Sequence, residues 1–476
     1  MSAPSRTRAS QATRPAPDDP RPRASRSRAR APRGIRVLAP HDETASDRDL
    51  AAQRRSTGTV RSAAVRRLRA FWTGPLTTYY LLVGSTALLL VLGLVMVLSS
   101  SSVDSIVRGG SPYAAFLDQT KFALIGLPVM LVATRLTTAW QTHLAWFALV
   151  AALVFQSMVF VPGIGCGAGG NQNWVCLPGF SAQPSEAVKL ALALWLGVVL
   201  VRKQPLLGQV RHVVVPGLLG VGVALGAVLA GKDLGTTLVL GMLVAGALFV
   251  AGVPMWMFGA GGALAALGVV VFIASQPGSN RQQRIEGWLG SCTDAAGLCY
   301  QTHHGTWALA SGGFFGLGLG ESRQKWSYLP AAHNDFIFAI IGEELGLVGT
   351  LLVVGLFAVL AVAMLRVVRF HPEPSARITT GAIFAWIVGQ ALINIAVVLR
   401  LAPVIGVPLP LVSAGGSALI MTMAALGVVI SYARSDPQAR AALAARPGVL
   451  RRSIAVLGRS RGRSRTQGRT RRSGRG

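Results

Sequence analysis

Apolar runs long enough to cross a lipid bilayer recur between residues 77 and 433 of this chain. A membrane-spanning helix needs about 20 predominantly apolar residues, and each run approaches that length. The pattern therefore predicts an all-α integral membrane protein with about ten transmembrane helices. We place them at residues 77–100, 122–138, 143–163, 184–202, 213–231, 234–253, 255–275, 336–365, 378–400 and 412–433.

Polar residues gather in the connections that fall on one side of this arrangement, at about 101–121, 164–183, 276–335 and 400–412. The connection at 276–335, between predicted helices 7 and 8, is by far the longest, and catalytic residues often lie on such loops. The connection at 400–412 holds three prolines and one glycine, so it cannot form a regular helix. Its backbone must be buried in protein or line a cavity.

Charge separates the chain into three parts. The formal net charge is +28, but residues 1–72 hold 17 arginines against six acidic residues, and residues 434–476 hold 13 against one. We interpret these two segments as disordered basic tails around a membrane domain at residues 73–433. The positive-inside rule then places both termini in the cytoplasm. Contact with anionic lipid is a natural role for the tails, and no module that reads nucleic acid accompanies them.

All four cysteines lie in loops predicted to be outside the cytoplasm. Cys166 and Cys176 share the loop at 164–183, and Cys292 and Cys299 share the longest loop. Disulfides persist in oxidising compartments, so this distribution predicts two local bridges, Cys166–Cys176 and Cys292–Cys299. Four unpaired thiols are the alternative, and the long spacings do not favour a zinc site.

Asp335 lies where the longest loop meets the predicted eighth helix. Burial at such a boundary raises the pKa of a carboxyl group and suits it to accepting a proton. On position alone the alternative is a helix cap, since Asn334 and Asp335 are both residue types that bond the free amides of a first turn.

A charged pair, Glu186 and Lys189, stands one turn inside the predicted fourth helix. Charged side chains within a membrane helix normally face the protein interior or a wet cavity. Because the two residues are three apart they share one helix face, and they can form either a structural ion pair or part of a site. Trp174, just before this helix, can equally be an ordinary interfacial aromatic.

Four stretches closely resemble the SEDS family, the FtsW and RodA glycosyltransferases of bacterial wall synthesis, and together the resemblance covers about residues 77–433. The stretches are QKWSYLPAAHNDFIFAIIGEELG at 324–346, NWVCLPGFSAQPSEAVK at 173–189, GKDLGTT at 231–237 and PVIGVPLPLVSAGGS at 403–417. The first of these is more similar to the FtsW, cell-division branch. The chain departs from the family pattern at Asn173, Lys232, Ala331, Asn334 and Ala414.

The resemblance implies roles for individual residues. Asp335 would be the catalytic residue, Glu186 and Lys189 would line the same cavity, and Trp174 would stack a sugar. Basic residues on the outer loop oppose the positive-inside trend, and a diphosphate-bearing lipid explains them best, with Arg284 and Lys325 as the leading candidates. Ser413 and Ser417 would either hydrogen-bond the substrate or hold the broken backbone beside them.

The resemblance also implies an activity: polymerisation of lipid II into glycan on the outer face of the cytoplasmic membrane at the division septum. A divalent cation, Mg²⁺ or Mn²⁺, would accompany the lipid diphosphate. A class B penicillin-binding transpeptidase of the FtsI type and other divisome proteins would be partners. A lipid II flippase and a non-catalytic divisome scaffold are the rival hypotheses. A lone aspartate at the mouth of a large outer loop favours the enzyme, since a flippase should show polar residues along one path at both membrane faces.

Overall fold

The computed structural model describes residues 72, 74–107, 109–168, 171–178, 180–275, 280–290, 300–326, 328–330 and 332–445. The predicted N-terminal tail lies almost wholly outside the described residues, as do Cys292 and Cys299. The predicted disordered C-terminal tail, residues 434–476, is described as far as residue 445, and there the prediction of disorder is wrong, because residues 437–444 form a short helix capped by Asp436. The fold within the described ranges is mostly helical, as predicted.

Nine helices in the described ranges are long and apolar enough to span a membrane. They are α1 (Thr77–Val107), α2 (Ala114–Ala133), α3 (Thr138–Ser157, continued by a turn of 3₁₀ helix at Met158–Phe160), α4 (Pro184–Arg202), α7 (Leu234–Ala251), α8 (Met255–Ala274), α11 (Ile337–Phe370), α12 (Pro374–Val398) and α13 (Gly416–Ser435). The shorter helices are α5 (Val210–Val213), α6 (Leu219–Ala230), α9 (Asn280–Leu289), α10 (Tyr300–Ser311) and α14 (Pro437–Ala444).

The predicted fifth span, residues 213–231, is interrupted rather than continuous. Val215 has extended backbone angles (φ −115°, ψ 123°) within the irregular turn Val214–Leu218, and only α6 continues as a regular helix. Pro216 explains the break, because a proline lacks an amide hydrogen and disfavours helical angles in the residue before it. The apolar pattern thus located the segment but not its break.

The loop at 164–183 holds a small sheet that the apolar pattern did not predict. Strands β1 (Gly165–Ala168), β2 (Asn171–Leu177) and β3 (Phe180–Ala182) pair antiparallel in the order β1-β2-β3. A Cys166–Cys176 disulfide links β1 to β2 across 6.0 Å between Cα atoms. The Cys292–Cys299 bridge stays a prediction.

The centre of the bundle is formed by α4, α12 and α13, the spans with the largest buried fractions. Close packing there depends on small residues, as is common between membrane helices. At Gly246 of α7 a methyl group would lie 2.7 Å from the carbonyl oxygen of Gly381 on α12, so the two backbones touch. By contrast, α8 has no buried residue.

The long helix α11 is broken at Gly346, where φ is +65° and ψ is −160°. The chain that follows α10 lies in this break: the amides of Leu317 and Gly318 donate to the carbonyls of Glu343 and Glu344 (2.9 and 3.0 Å). A side chain at Gly346 would meet Gly316 N at 2.4 Å, so only glycine permits the contact. The break therefore fixes the end of the long loop against the helix that follows Asp335.

Candidate active site

Asp335 is the last loop residue but one before α11. The helix has Phe336 at its N-cap and no side-chain hydrogen bond there, so neither Asn334 nor Asp335 provides the cap considered from sequence. The backbone carbonyl of Asp335 accepts a 2.8 Å hydrogen bond from Asn394 Nδ2 of α12. The Asp335 backbone is thus held from the neighbouring helix while its carboxylate is left for other partners.

Burial raises the pKa of the Asp335 carboxyl group well above its ordinary value, to about 6. The side chain keeps some solvent exposure, but surrounding protein atoms remove much of the water that would stabilise its charge. The positive charge of Arg284 acts in the opposite direction and lowers the pKa, although by less than burial raises it. A carboxylate in this range is a stronger base than a free aspartate and is still ionised at neutral pH.

A reaction in which the Asp335 carboxylate accepts the proton should therefore proceed at a nearly constant rate above about pH 7 and slow about tenfold per pH unit below about pH 6, where the carboxylate becomes protonated. Protonation of Asp335 favours the folded state, because its pKa is higher there than in the unfolded chain. Its contribution to stability is present at low pH and lost as the pH rises through about 6. Acid loss of activity through this group would therefore occur without unfolding. Initial rates and thermal midpoints measured on the same samples would check this. A rate unchanged across that range would contradict it.

The proline-rich segment 400–412 forms the wall opposite Asp335. Gly406 has φ +77°, and a methyl group built on it would lie 3.5 Å from Asp335 Oδ2 and 3.9 Å from Arg284 Nη1. Arg284 Nη1 also donates to the Val404 carbonyl at 3.3 Å. The carboxylate and the guanidinium predicted to bind phosphate therefore meet at the same glycine.

Two amide side chains of α12 hold this wall, and both are buried. Asn394 Nδ2 donates to the Val407 carbonyl as well as to that of Asp335, each at 2.8 Å. Gln390 Nε2 donates to the Pro408 carbonyl at 2.8 Å. Sequence reasoning missed these residues, although two amides four apart in an apolar span are a usable signal, because polar groups inside a membrane need partners.

Ser413 and Ser417 both bind backbone atoms. Ser413 Oγ donates to the Asn334 carbonyl at 2.7 Å and accepts from the Leu409 amide at 2.8 Å. Ser417 Oγ accepts from the amide of Gln183 at 3.0 Å. Ser413 thus holds the broken segment 400–412, as one of its two predicted roles requires, whereas Ser417 holds the residue that precedes α4. The substrate-binding role of both stays a prediction.

Glu186 and Lys189 form a buried ion pair with 2.8 Å between Lys189 Nζ and the carboxylate. The ammonium group also donates to Gln390 Oε1 at 3.3 Å and lies 4.9 Å from the centre of the Trp386 ring. The pair therefore supports Gln390 and, through it, the wall beside Asp335. Neither side chain is exposed by more than 4%.

Trp174 lies half-buried on β2, opposite Cys166. The side chain of its neighbour Asn173 is buried and holds the strand in place through three hydrogen bonds. It accepts one from Gln156 at 3.0 Å and donates one to Ser185 at 2.9 Å and one to Asp233 at 2.6 Å. Asp233 caps α7 by accepting from the amide of Thr236 at 2.9 Å, in agreement with the capping role favoured from sequence. The hairpin is thus attached to the ends of both α4 and α7.

Lys325 is buried, although the sequence suggested that it binds phosphate. Its ammonium group lies 3.4 Å from the Glu344 carboxylate and donates to the carbonyls of Ser99 and Gly320. Glu344 also accepts from Ser99 Oγ at 2.7 Å, and Glu343 accepts from the amide of Arg323 at 3.0 Å. In this conformation Lys325 anchors the end of the long loop, and the Glu344 carboxylate balances its positive charge.

The residues present do not form a protein cage for a metal ion. Within the described ranges no group of three or more His, Cys, Asp or Glu side chains could hold one. Among the described residues, Asp335 brings its carboxylate to the wall at Gly406. A divalent cation in this place would need oxygen ligands from the substrate.

Comparisons with known proteins agree with this architecture. The model of the FtsW, RodA and SpoVE family, described as cell cycle protein, matches residues 79–438. The probable peptidoglycan glycosyltransferase FtsW of Mycobacterium tuberculosis is 40% identical over 385 residues, which cover 81% of this chain and 73% of that protein. Stage V sporulation protein E of Bacillus subtilis is 36% identical over 358 residues, 74% of this chain and 96% of that protein.

Two solved structures share the fold. One is described as "Structural coordination of polymerization and crosslinking by a peptidoglycan synthase complex". It has a TM-score of 0.60 and 26% identity, and covers 75% of this chain and 98% of the matched chain. The rod shape determining protein RodA of Thermus thermophilus has a TM-score of 0.56 and 25% identity, covering 75% and 97%. Sequence and fold together place this chain in the FtsW, RodA and SpoVE family.

Proposed function

We propose that this chain is a peptidoglycan glycosyltransferase of the FtsW type, which polymerises lipid II into glycan strands during cell division. The observation that carries the proposal is the arrangement at Asp335. A carboxylate with a raised pKa faces Gly406 together with the guanidinium of Arg284, between a long loop and a fixed wall. Relatives that bear this activity in their names support the reaction class.

In the proposed reaction the 4-hydroxyl of the acceptor N-acetylglucosamine attacks the anomeric carbon of the donor sugar. Asp335 takes the hydroxyl proton as the new carbon–oxygen bond forms. The bond between the anomeric carbon and the diphosphate breaks, and undecaprenyl diphosphate leaves with the electron pair. A single displacement inverts the anomeric centre and needs no covalent enzyme intermediate, in contrast to a retaining mechanism. Diphosphate is already a good leaving group, so no strong acid is required.

Arg284 is the residue best placed to stabilise the departing diphosphate, because its guanidinium approaches the same glycine as the Asp335 carboxylate. Mg²⁺ or Mn²⁺ would supply further positive charge to the phosphate oxygens. It would come with the substrate, because the described residues hold no group of side chains that could bind a metal ion by themselves.

The proposed partner is a class B penicillin-binding transpeptidase of the FtsI type, together with other divisome proteins. The peptidoglycan synthase complex that resembles this chain supports a coupling of polymerisation to crosslinking. The predicted basic tails offer further contacts with anionic lipid.

We propose that both termini are cytoplasmic and that the Asp335 end of the bundle lies outside, at the division septum. Fusions at residues 50 and 450 to a reporter that works only outside the cytoplasm should be silent, and a fusion near residue 290 should be active. Signal from either terminal fusion would overturn this topology. Fusions of a reporter that works only in the cytoplasm serve as the control.

The test of function is polymerisation of detergent-solubilised lipid II by the purified chain, with and without the transpeptidase partner. Glycan strands longer than the disaccharide substrate are expected. Failure in both conditions, with the protein folded, would favour the flippase or the scaffold. A flippase would instead move labelled lipid II across a vesicle bilayer without extending it, and a scaffold would do neither while still binding the partner.

A further inference from the structure

Arg400 occupies a backbone position that normally belongs to glycine. Helix α12 ends in a Schellman motif, in which the Arg400 amide bonds the Val397 carbonyl at 3.0 Å and the Leu401 amide bonds that of Ala396 at 2.8 Å. The residue after the C-cap of this motif is left-handed, and Arg400 has φ +62°. An L-residue with a Cβ atom is strained there relative to glycine.

The backbone of Arg400 is also held by a contact from outside α12. The indole nitrogen of Trp288, on α9, donates to the Arg400 carbonyl at 3.0 Å. Arg284 stands one turn earlier on α9 and bonds the Val404 carbonyl. Two contacts therefore hold α9 against the segment that follows α12, one at each arginine.

Arg284 and Arg400 line the same small pocket, together with Trp288, Thr302 and Pro403. Among the described residues that line it none is acidic, so two arginines border one pocket with no carboxylate in its described lining. Asp335 and Arg284 both approach Gly406. A pocket bordered by two arginines and close to the Asp335 carboxylate fits a ligand with at least two negative charges.

We propose that Arg400 is a second diphosphate-binding residue, which acts with Arg284 to hold the diphosphate of the lipid-linked donor. The proposal rests on the proposed function for the identity of that ligand. A guanidinium group can bind two oxygens of one phosphate through two parallel hydrogen bonds. Two arginines can therefore each bind one phosphate of a diphosphate. Binding of this ligand would explain why position 400 holds an arginine, although a glycine there would remove the backbone strain.

The test uses the full-length chain in detergent and farnesyl diphosphate as a soluble probe. Arg400→Gly should bind the probe about tenfold or more weakly, as expected for loss of charged hydrogen bonds. Its thermal midpoint should stay equal or rise, because glycine removes the strain. A loss of probe affinity without a loss of thermal stability would show that Arg400 binds the ligand and does not merely support the fold. Arg400→Lys keeps the charge and should fall between the two.

Controls distinguish a diphosphate from other phosphate ligands, and they distinguish failure of the Arg400 proposal from failure of the proposed polymerase function. Arg323→Gly removes an exposed arginine of the loop that carries Arg284 and should leave binding unchanged. Farnesyl monophosphate and inorganic phosphate should bind more weakly to the wild type and lose less in Arg400→Gly. If Arg400→Gly binds the diphosphate as wild type does, the inference is overturned, even when wild type polymerises lipid II. If wild type makes no glycan and Arg400→Gly still loses diphosphate affinity, the diphosphate site stands and the proposed polymerase function fails.

Discussion

Asp335→Asn should reduce glycan polymerisation by at least the roughly 100-fold typical of removing a general base. Asparagine has nearly the same size, and its backbone carbonyl can still accept the hydrogen bond from Asn394. Its amide cannot accept a proton at neutral pH, so the acceptor hydroxyl stays protonated as the new bond forms. The measurement is the initial rate of polymer formation from lipid II with the partner present.

The matched control is Asp118→Asn, since Asp118 is exposed on α2 and pairs with Lys121 at 2.9 Å. That variant should polymerise at the wild-type rate. Asp335→Asn should also keep its affinity for farnesyl diphosphate, because the proposed phosphate-binding residues are untouched. A variant that polymerises within a few fold of wild type would show that Asp335 is not the base, whatever its burial.

The sequence located the membrane spans because a run of about 20 apolar residues has few other interpretations. Interruptions were harder to see. Pro216 is visible in the sequence, but a proline inside a membrane helix can also be tolerated by neighbouring groups, so the pattern alone did not decide between a kink and a break. The hairpin at 165–182 escaped prediction because its strands are short and contain few β-branched residues.

The sequence suggests individual candidate residues for the site, but not their partners. Lys325 and Arg284 look alike in sequence, as basic residues on one outer loop. The structure buries Lys325 against Glu344 and leaves Arg284 beside Asp335. Pairings between residues far apart in the chain depend on how helices pack, and a single sequence carries little information on that. Arg400 is a second example. It stands out because of its positive φ, and this backbone angle could not be predicted from the sequence.

Lys189→Met should destabilise the folded chain by about 3–5 kcal/mol, the cost of leaving one buried charge without its partner. The variant keeps most of the side-chain length but strips Glu186 of an ammonium at 2.8 Å and Gln390 of one donor. The double variant Glu186→Gln, Lys189→Met removes both charges and should recover most of that loss, since no unpaired charge remains. Unfolding midpoints in detergent, compared across wild type, Glu186→Gln, Lys189→Met and the double variant, measure the coupling directly.

The same four proteins also decide whether the pair touches substrate. If Glu186 and Lys189 only support Gln390 and the wall at Pro408, the double variant should polymerise lipid II within about tenfold of wild type once it is folded. If they bind the substrate within the cavity, as the family resemblance implies, stability will recover in the double variant while polymerisation stays lost. Equal stability of Lys189→Met and wild type would contradict the buried ion pair itself, because an exposed pair contributes only about 0–1 kcal/mol.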